Sequence, residues 1–180
     1  MKSRSISYGF TLIELLVVIA ILGTLSSIVM SSLNTARDKA RDAAMIQSAR
    51  QIPAQAELFY VANGDNYNAN PGGASGPRGL CDRRSDGSST GGVKGVYPML
   101  RAIAEEYDGG NATIGRSGVR GVEIECNDYR SGVPARIGWS IEIPLKAGGY
   151  YCMDYLGNTS TTTDPVLGSD DLNCKTGVVY

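Results

Sequence analysis

The hydrophobic pattern begins with an apolar run from Phe10 to Met30. Its 21 residues include one charged side chain, Glu14. At about 1.5 Å per residue, a helix of this length spans roughly 30 Å, which matches the hydrocarbon core of a bilayer. The run therefore predicts a membrane-spanning helix with a carboxylate close to its start.

The charges on either side of the apolar run predict its orientation. Lys2 and Arg4 precede the run, whereas the stretch 37–42 that follows it mixes basic and acidic residues. Short cytoplasmic flanks of membrane helices are enriched in Lys and Arg. This asymmetry favours a cytoplasmic N-terminus, with the bulk of the chain on the outer side.

Two simpler interpretations of the apolar run explain it less well. A secretory signal peptide has an apolar stretch of about 7–15 residues that ends at a small-residue cleavage site, and this run is longer. A plain signal anchor fits the length but gives no reason for Glu14. An ionisable residue inside a membrane costs about 3 kcal/mol even on insertion scales and is usually functional.

A second pattern continues the helix beyond the membrane segment. Apolar residues recur there at alternating spacings of four and three, which indicates one face of an amphipathic helix; this stripe consists of Met45, Ala49, Ile52, Ala56 and Phe59. The remaining residues fall mostly off the stripe, and we expect them to face solvent. They include Arg37, Asp38, Lys39, Arg41, Asp42, Arg50 and Gln51.

Proline and turn residues predict where the helices end. Pro53 interrupts the amphipathic stretch and should kink or open the helix at about Ala49–Ile52. The Asn63-Gly64 pair suits the end of the long helix. A short helix is predicted over 98–107, with proline at its start and 108–110 as its stop.

Strands are predicted in the C-terminal half. Segments 122–126 and 137–143 alternate between apolar and polar residues, 150–155 is a third candidate, and 178–180 is a candidate for a short last strand. An alternation with a period of two residues gives a strand one buried and one solvated face. The residues expected to be exposed to solvent are Glu123, Glu125, Gly138, Ser140 and Glu142. An antiparallel sheet packed on the amphipathic helix would bury both apolar faces, which predicts an α+β fold.

Composition narrows the function classes. The chain is 42% hydrophobic and 19% charged, as folded proteins are, with a net charge of −1 and no histidine. The missing histidine removes the commonest general base and metal ligand, and the charge argues against nucleic acid as the main partner. With no nucleophile–base pair visible, we expect neither an enzyme nor a cofactor.

Several weaker motifs have plainer interpretations. Asp164, Asp170 and Asp171 could supply oxygen ligands to calcium, but a solvated acidic loop is the favoured interpretation. The glycine-rich stretch 87–94 departs from the phosphate-loop pattern, because no Ser or Thr follows its lysine. A small basic patch without interleaved aromatic residues is expected to be ordinary surface; it comprises Arg78, Arg83, Arg84 and Lys94.

The four cysteines predict disulfides. None of them lies in a C-x-x-C motif, so a zinc site is disfavoured and an oxidising, external location is favoured. Three pairings are possible, and we prefer Cys81–Cys126 with Cys152–Cys174, because each pair closes a plausible loop. A disulfide that closes roughly 20 residues adds about 3 kcal/mol. Four free, buried thiols are the alternative.

The residues around Glu14 resemble a known family. The string GFTLIELLVVIAIL over 9–22 is similar to the N-terminal segment of type IV prepilins and pseudopilins. The resemblance covers about the first 30 residues. It implies that a membrane peptidase cuts after Gly9, that Phe10 becomes an N-methylated N-terminus, and that Glu14 is the assembly carboxylate. It also implies that Cys152–Cys174 bounds a C-terminal loop, as in many pilins.

The physical chemistry agrees with the resemblance. A cut after Gly9 creates an ammonium group at Phe10, one helical turn from Glu14. A buried carboxylate is tolerable when it is paired, either within one subunit or with the amine of a neighbour. A misplaced subunit would leave the charge unpaired, so the pair would also fix the assembly register.

The sequence as a whole predicts a chain in four parts: a leader (1–9), a membrane and assembly helix (10–30), its amphipathic continuation (31–62) and a globular domain (63–180). We expect a structural subunit of a type IV pilus-like filament. The alternatives are a pseudopilin of a type II secretion system and a membrane-anchored surface domain.

The expected partners and location follow from the same resemblance. The partners are copies of the chain and related pilins, prepilin peptidase, the inner-membrane assembly machinery and, before assembly, membrane lipid. The chain should cross the inner membrane once with its C-terminal domain outside, and then join an extracellular pilus or a periplasmic pseudopilus.

Overall fold

A computed structural model of the chain describes residues 9–67, 79–83, 92–115, 123–128, 138–167 and 172–174. It divides into two compact units, Met1–Asp38 and Lys39–Tyr180. The helices are α1 (Leu12–Ala49), α2 (Ile52–Ala62) and α3 (Tyr97–Asp108), and the strands are β1 (Ile114–Gly115), β2 (Ile124–Asn127), β3 (Ser140–Pro144), β4 (Tyr150–Asp154) and β5 (Thr159–Thr162). The predicted α+β fold class is confirmed, and the arrangement is like that of type IV pilins.

The break in the long helix lies where the sequence predicts it. α1 ends at Ala49, and α2 begins at Ile52 with Pro53 in its first turn. Proline has no backbone N–H, so it cannot continue the ladder of the preceding helix but fits the first turn of a new one. The predicted short helix is α3, which ends at Gly109 in the left-handed conformation with φ of 75°.

The inner face of the sheet packs against the apolar stripe of α1 and α2. In the sheet register, Ile141 lies opposite both Cys126 and Met153, and Ile143 lies opposite Tyr151. These side chains form one buried cluster with the helical stripe. Every residue of the predicted stripe is at most 1% exposed: Met45, Ala49, Ile52, Ala56 and Phe59. The amphipathic prediction is therefore confirmed.

Within the described residues the sheet has five strands, in the order β1-β2-β3-β4-β5. β1 and β2 are parallel, and the other neighbours are antiparallel. The predicted strands correspond to β2, β3 and β4. β5 was not predicted because its sequence, TSTT, is polar throughout. The candidate strand 178–180 lies outside the described residues, as do Val122 and Ile137 of the predicted alternation.

The outer face of the sheet was predicted to be exposed to solvent, but most of it is buried. Gly138 and Ser140 are buried, Glu142 is 1% exposed, and Glu125 is half-buried; only Glu123 is exposed. Segments 163–167 and 172–174, together called the C-terminal strap, contact this face. Alternation in a strand predicts which side chains share a face, but it does not show whether another segment covers that face.

Two buried carboxylates hold the C-terminal strap. Glu142 on β3 accepts hydrogen bonds from the backbone N–H groups of Leu167 at 2.8 Å and Val166 at 3.0 Å. Asp154 on β4 accepts one from the N–H of Cys174 at 3.0 Å. The Cys152–Cys174 disulfide joins β4 to the same segment, and Leu167 packs beside it. Charge-assisted bonds and a covalent link therefore fasten the strap.

Asp42 is a further correction to the predicted surface. It was expected to face solvent, but it is 7% exposed. Its carboxylate accepts hydrogen bonds from the N–H groups of Lys146 at 2.6 Å and Ala147 at 2.9 Å, in the turn between β3 and β4. Asp42 lies three residues before Met45, so it extends the buried stripe by one turn and ties α1 to the sheet.

We expect Asp42→Ala to lower the free energy of unfolding of this unit by about 2 kcal/mol, because the N–H groups of Lys146 and Ala147 lose a charged acceptor. Urea unfolding of the full chain in detergent, followed by circular dichroism, measures the change. Asp38→Ala is the control, since Asp38 makes no side-chain hydrogen bond with the described residues. Equal effects of the two substitutions would contradict the role given to Asp42.

Glu142 should make stability depend on pH. Burial is the largest effect on the pKa of its carboxyl and raises it above the ordinary 4.5; the N–H groups of Leu167 and Val166 lower it, and Glu125 raises it. A raised pKa means that the folded chain binds the proton more tightly than the unfolded chain. The resulting stabilisation is complete below the unfolded pKa and is lost as pH rises through the folded one.

We therefore expect Glu142→Gln, which cannot ionise, to gain stability relative to wild type as pH rises above the ordinary carboxyl pKa of 4.5. The quantity to measure is the difference in unfolding free energy between the two chains, by urea unfolding at several pH values. Taking the difference cancels the other carboxyl groups. A difference that stays constant, or that moves towards wild type as pH rises, would refute the expectation.

Candidate functional site

The start of α1 carries the residues that the sequence singles out. Gly9, Phe10 and Thr11 precede the helix, which begins at Leu12. Phe10 is 78% exposed. Glu14 occupies the third position of the helix and is also exposed. The residues of the predicted cut, Gly9 and Phe10, thus lie in non-helical chain directly before the helix. Residues 1–8, the rest of the predicted leader, lie outside the described part.

Thr11 and Glu14 cap the helix reciprocally. The Thr11 backbone N–H donates to Glu14 Oε2 at 2.9 Å, and the Glu14 N–H donates to Thr11 Oγ1 at 3.3 Å. The Thr11 hydroxyl also donates to Glu14 Oε2, at 2.7 Å. This is a capping box, which satisfies backbone N–H groups that the first helical turn leaves without partners. The carboxylate is therefore hydrogen-bonded at the start of its own helix.

Thr11 is the residue that the sequence reasoning missed at this site. The pattern T-x-x-E directly before an apolar run is a helix-start signature, and it is present at 11–14. From the sequence, Glu14 is expected to pair with the amine of Phe10. In the structure the nearest partner of the Glu14 carboxylate is Thr11, and Phe10 still carries a peptide nitrogen.

The apolar side chains that follow are exposed on every side of α1. From Leu12 to Leu33 the large ones are between 43% and 85% exposed. The helical stretch Leu12–Ala62 includes an 18-residue window with a mean hydropathy of 2.5, so it is long and apolar enough to cross a membrane. A helix that is apolar all round needs lipid or other protein around it.

The structure joins the cysteines as Cys81–Cys126 and Cys152–Cys174. These are the two pairs that we prefer from the sequence. Both pairs lie in the unit Lys39–Tyr180. Around Cys81, the backbone N–H donates to Asp128 Oδ2 at 2.9 Å, so this segment is fixed both covalently and by a carboxylate.

The calcium candidates are only partly described. Asp164 accepts a hydrogen bond from the Thr163 hydroxyl at 3.1 Å, and Asp170 and Asp171 lie outside the described residues. No group of three or more Cys, Asp or Glu residues suited to a metal ion occurs in the described part. Of the glycine-rich stretch 87–94 and the basic patch, only 92–94 and Arg83 are described.

Comparison with known proteins adds one match. A family model described as the prokaryotic N-terminal methylation motif matches residues 4–30. This motif is the signature of type IV pilin and pseudopilin precursors, and it spans both the predicted cut and Glu14. None of the curated proteins and none of the solved structures matches the chain.

We expect Thr11→Val to speed amide hydrogen exchange at Glu14 by about fivefold, because the loss of an N-cap hydroxyl costs about 1 kcal/mol. The measurement is NMR on the uncut chain in detergent micelles. Thr24→Val is the matched control: the Thr24 hydroxyl donates to the Ile21 carbonyl at 2.9 Å, within the helix. Unchanged exchange in Thr11→Val, or an equal effect of Thr24→Val, would count against the capping box.

Proposed function

We propose that this chain is the precursor of a type IV pilus-like filament subunit. It is inserted in the membrane through α1, cut after Gly9, N-methylated at Phe10 and polymerised through its N-terminal helix. The observation that carries the proposal is the methylation motif over residues 4–30, which coincides with the exposed apolar part of α1. The one charged residue of the apolar run 10–30, Glu14, lies in the first turn of this helix.

The exposed apolar helix supports polymerisation. A surface of this size in water would aggregate, so it must be covered at each stage. Lipid covers it while the chain spans the membrane, and copies of the same helix cover it in a filament. Such a subunit has a structural task and needs no active site.

The geometry of the N-terminus supports a role for Glu14 in assembly. The cut converts the Phe10 nitrogen into an ammonium group, and methylation keeps it basic. Thr11 holds the Glu14 carboxylate at the amino end of α1, where the positive end of the helix dipole favours a negative charge. A second copy that brings its Phe10 amine to this place neutralises the carboxylate as both leave the lipid headgroups.

The disulfides support an external location for the unit Lys39–Tyr180. Disulfides persist in the periplasm and outside the cell and are rare in the cytosol. Cytoplasmic Lys2 and Arg4 with an external C-terminal unit agree with the positive-inside rule. A pseudopilin of a type II secretion system shares this chemistry, and imaging of producing cells separates it from a pilin by the presence of extracellular filaments.

The test is intact mass and N-terminal sequencing of the chain from its native membrane, without reduction. We expect a chain that starts at Phe10, carries one additional methyl group and is lighter by four hydrogens than its reduced form. Gly9→Val should block the cut and leave the leader attached. A wild-type chain that starts at Met1, or near Ser31, would refute the proposal.

Glu14→Gln separates processing from assembly. It keeps the size of the side chain and removes the charge, so we expect normal cutting but loss of filaments from the sheared cell-surface fraction. Ser27→Ala, a small change in the same helix, is the control and should retain filaments. Normal filament yield in Glu14→Gln would remove the carboxylate from the assembly mechanism.

A further inference from the structure

An apolar groove lies between α2 and the first turn of α3. It encloses about 400 Å³, and Leu58, Val93, Pro98 and Met99 form its apolar walls. Leu58 remains 60% exposed there. Lys94 supplies the one charge among the described residues that line the groove. The surface thus combines apolar walls with a positive charge.

A hydrogen bond to the backbone carbonyl of Lys94 fixes the position of this residue. Gln55 of α2 donates a hydrogen bond from Nε2 to the Lys94 carbonyl oxygen at 2.6 Å. The Lys94 side chain is exposed and makes no ion pair with the described residues. Its ammonium group is therefore available beside the groove.

An acidic cavity lies at the other end of α3. It has a volume of about 250 Å³ and is lined by Tyr107, Tyr150 and the carboxylates of Glu123, Glu125 and Glu142, with no Lys or Arg among its described lining residues. Glu125 and Glu142 lie directly opposite each other on neighbouring strands. Like charges in this position repel, and a cation at the cavity would offset the repulsion.

The rim of the cavity already holds one ammonium group. Lys146 Nζ lies 4.7 Å from the ring centroid of Tyr107, so this ring takes part in a cation–π contact. Lys146 makes no ion pair with the described residues. Glu123 is exposed at the cavity and within reach of a partner.

We propose that copies of this chain join head to tail through these two surfaces, with Lys94 of one copy entering the acidic cavity of the next, next to Glu123. The proposal rests on the proposed function, because it assumes assembly of copies. The two surfaces lie near Met99 and Tyr107, roughly 12 Å apart along α3, and each supplies one side of the contact. A contact between two different patches is heterologous, and repeating it builds a filament when the rotation between copies does not close a ring.

The first test is zero-length carbodiimide cross-linking of the full-length chain in native membranes and in sheared filaments. Cells grown on heavy and light nitrogen are mixed before assembly, so that hybrid peptides report contacts between copies. We expect hybrid cross-links of Lys94 with Glu123 or Glu125, and none at comparable yield from Lys39, another exposed lysine of this unit. Lys94 found only within one chain, or joined to another protein, overturns the proposal.

The second test is charge reversal. Lys94→Glu and Glu123→Lys should each lower filament yield at least about tenfold, because like charges then face each other, and the double variant should restore it. Arg83→Glu is the matched control and should have no effect. A double variant as poor as either single one overturns the proposal, provided that all variants keep wild-type thermal stability.

These outcomes separate the contact from the proposed function. A chain that is not cut at Gly9 contradicts the proposed function, while hybrid cross-links in the same membranes still support the contact. A chain that is cut and forms filaments but gives no hybrid Lys94 cross-link retains the proposed function and overturns the contact.

Discussion

The unit Lys39–Tyr180 depends on the packing of one helical stripe against one face of a sheet. The stripe runs from Met45 to Phe59, and the sheet offers Ile124, Ile141 and Ile143 to the same core. Full burial of a large apolar side chain contributes about 1.5–3 kcal/mol, so these contacts supply most of the driving force. The break at Pro53 does not interrupt the stripe, because residues on both sides of it remain buried.

Buried carboxylates give this core its specific connections. Asp42, Glu142 and Asp154 are all buried, and each accepts backbone N–H groups from a segment distant in sequence. A buried charge without such donors would be costly, so each carboxylate favours one placement of its partner segment. Asp42 fixes the turn after β3 to α1, while the other two fix the C-terminal strap to the outer face. The disulfide Cys152–Cys174 reinforces the strap.

The N-terminal segment uses a carboxylate in a different environment. Glu14 has no buried pocket; the Thr11 N–H and hydroxyl hold it at the first turn of an apolar helix. The capping box therefore satisfies this carboxylate within its own helix start, without a partner from another segment. The methylation motif over residues 4–30 is the signature of type IV pilin-like and pseudopilin precursors, and the exposed helix and the capped carboxylate lie within the same segment.

The sequence by itself determined the features that depend on local periodicity or covalent geometry. The apolar run, the stripe at spacings of four and three, the break before Pro53 and the strands around Ile124, Ile141 and Tyr151 all follow from side-chain order. The T-x-x-E pattern at 11–14 also indicates a capping box in the sequence, although it was not used to predict one. Only the tertiary structure selected one of three cysteine pairings, because loop lengths allow several.

Tertiary structure also decided the burial of Asp42 and Glu142 and the strand pairing of β5. The physical reason is common to these cases. The partners of the two carboxylates and of β5 are backbone N–H and C=O groups, which every segment carries and which leave no mark in the sequence. Their meeting depends on where the chain returns in space, and only the folded structure shows it.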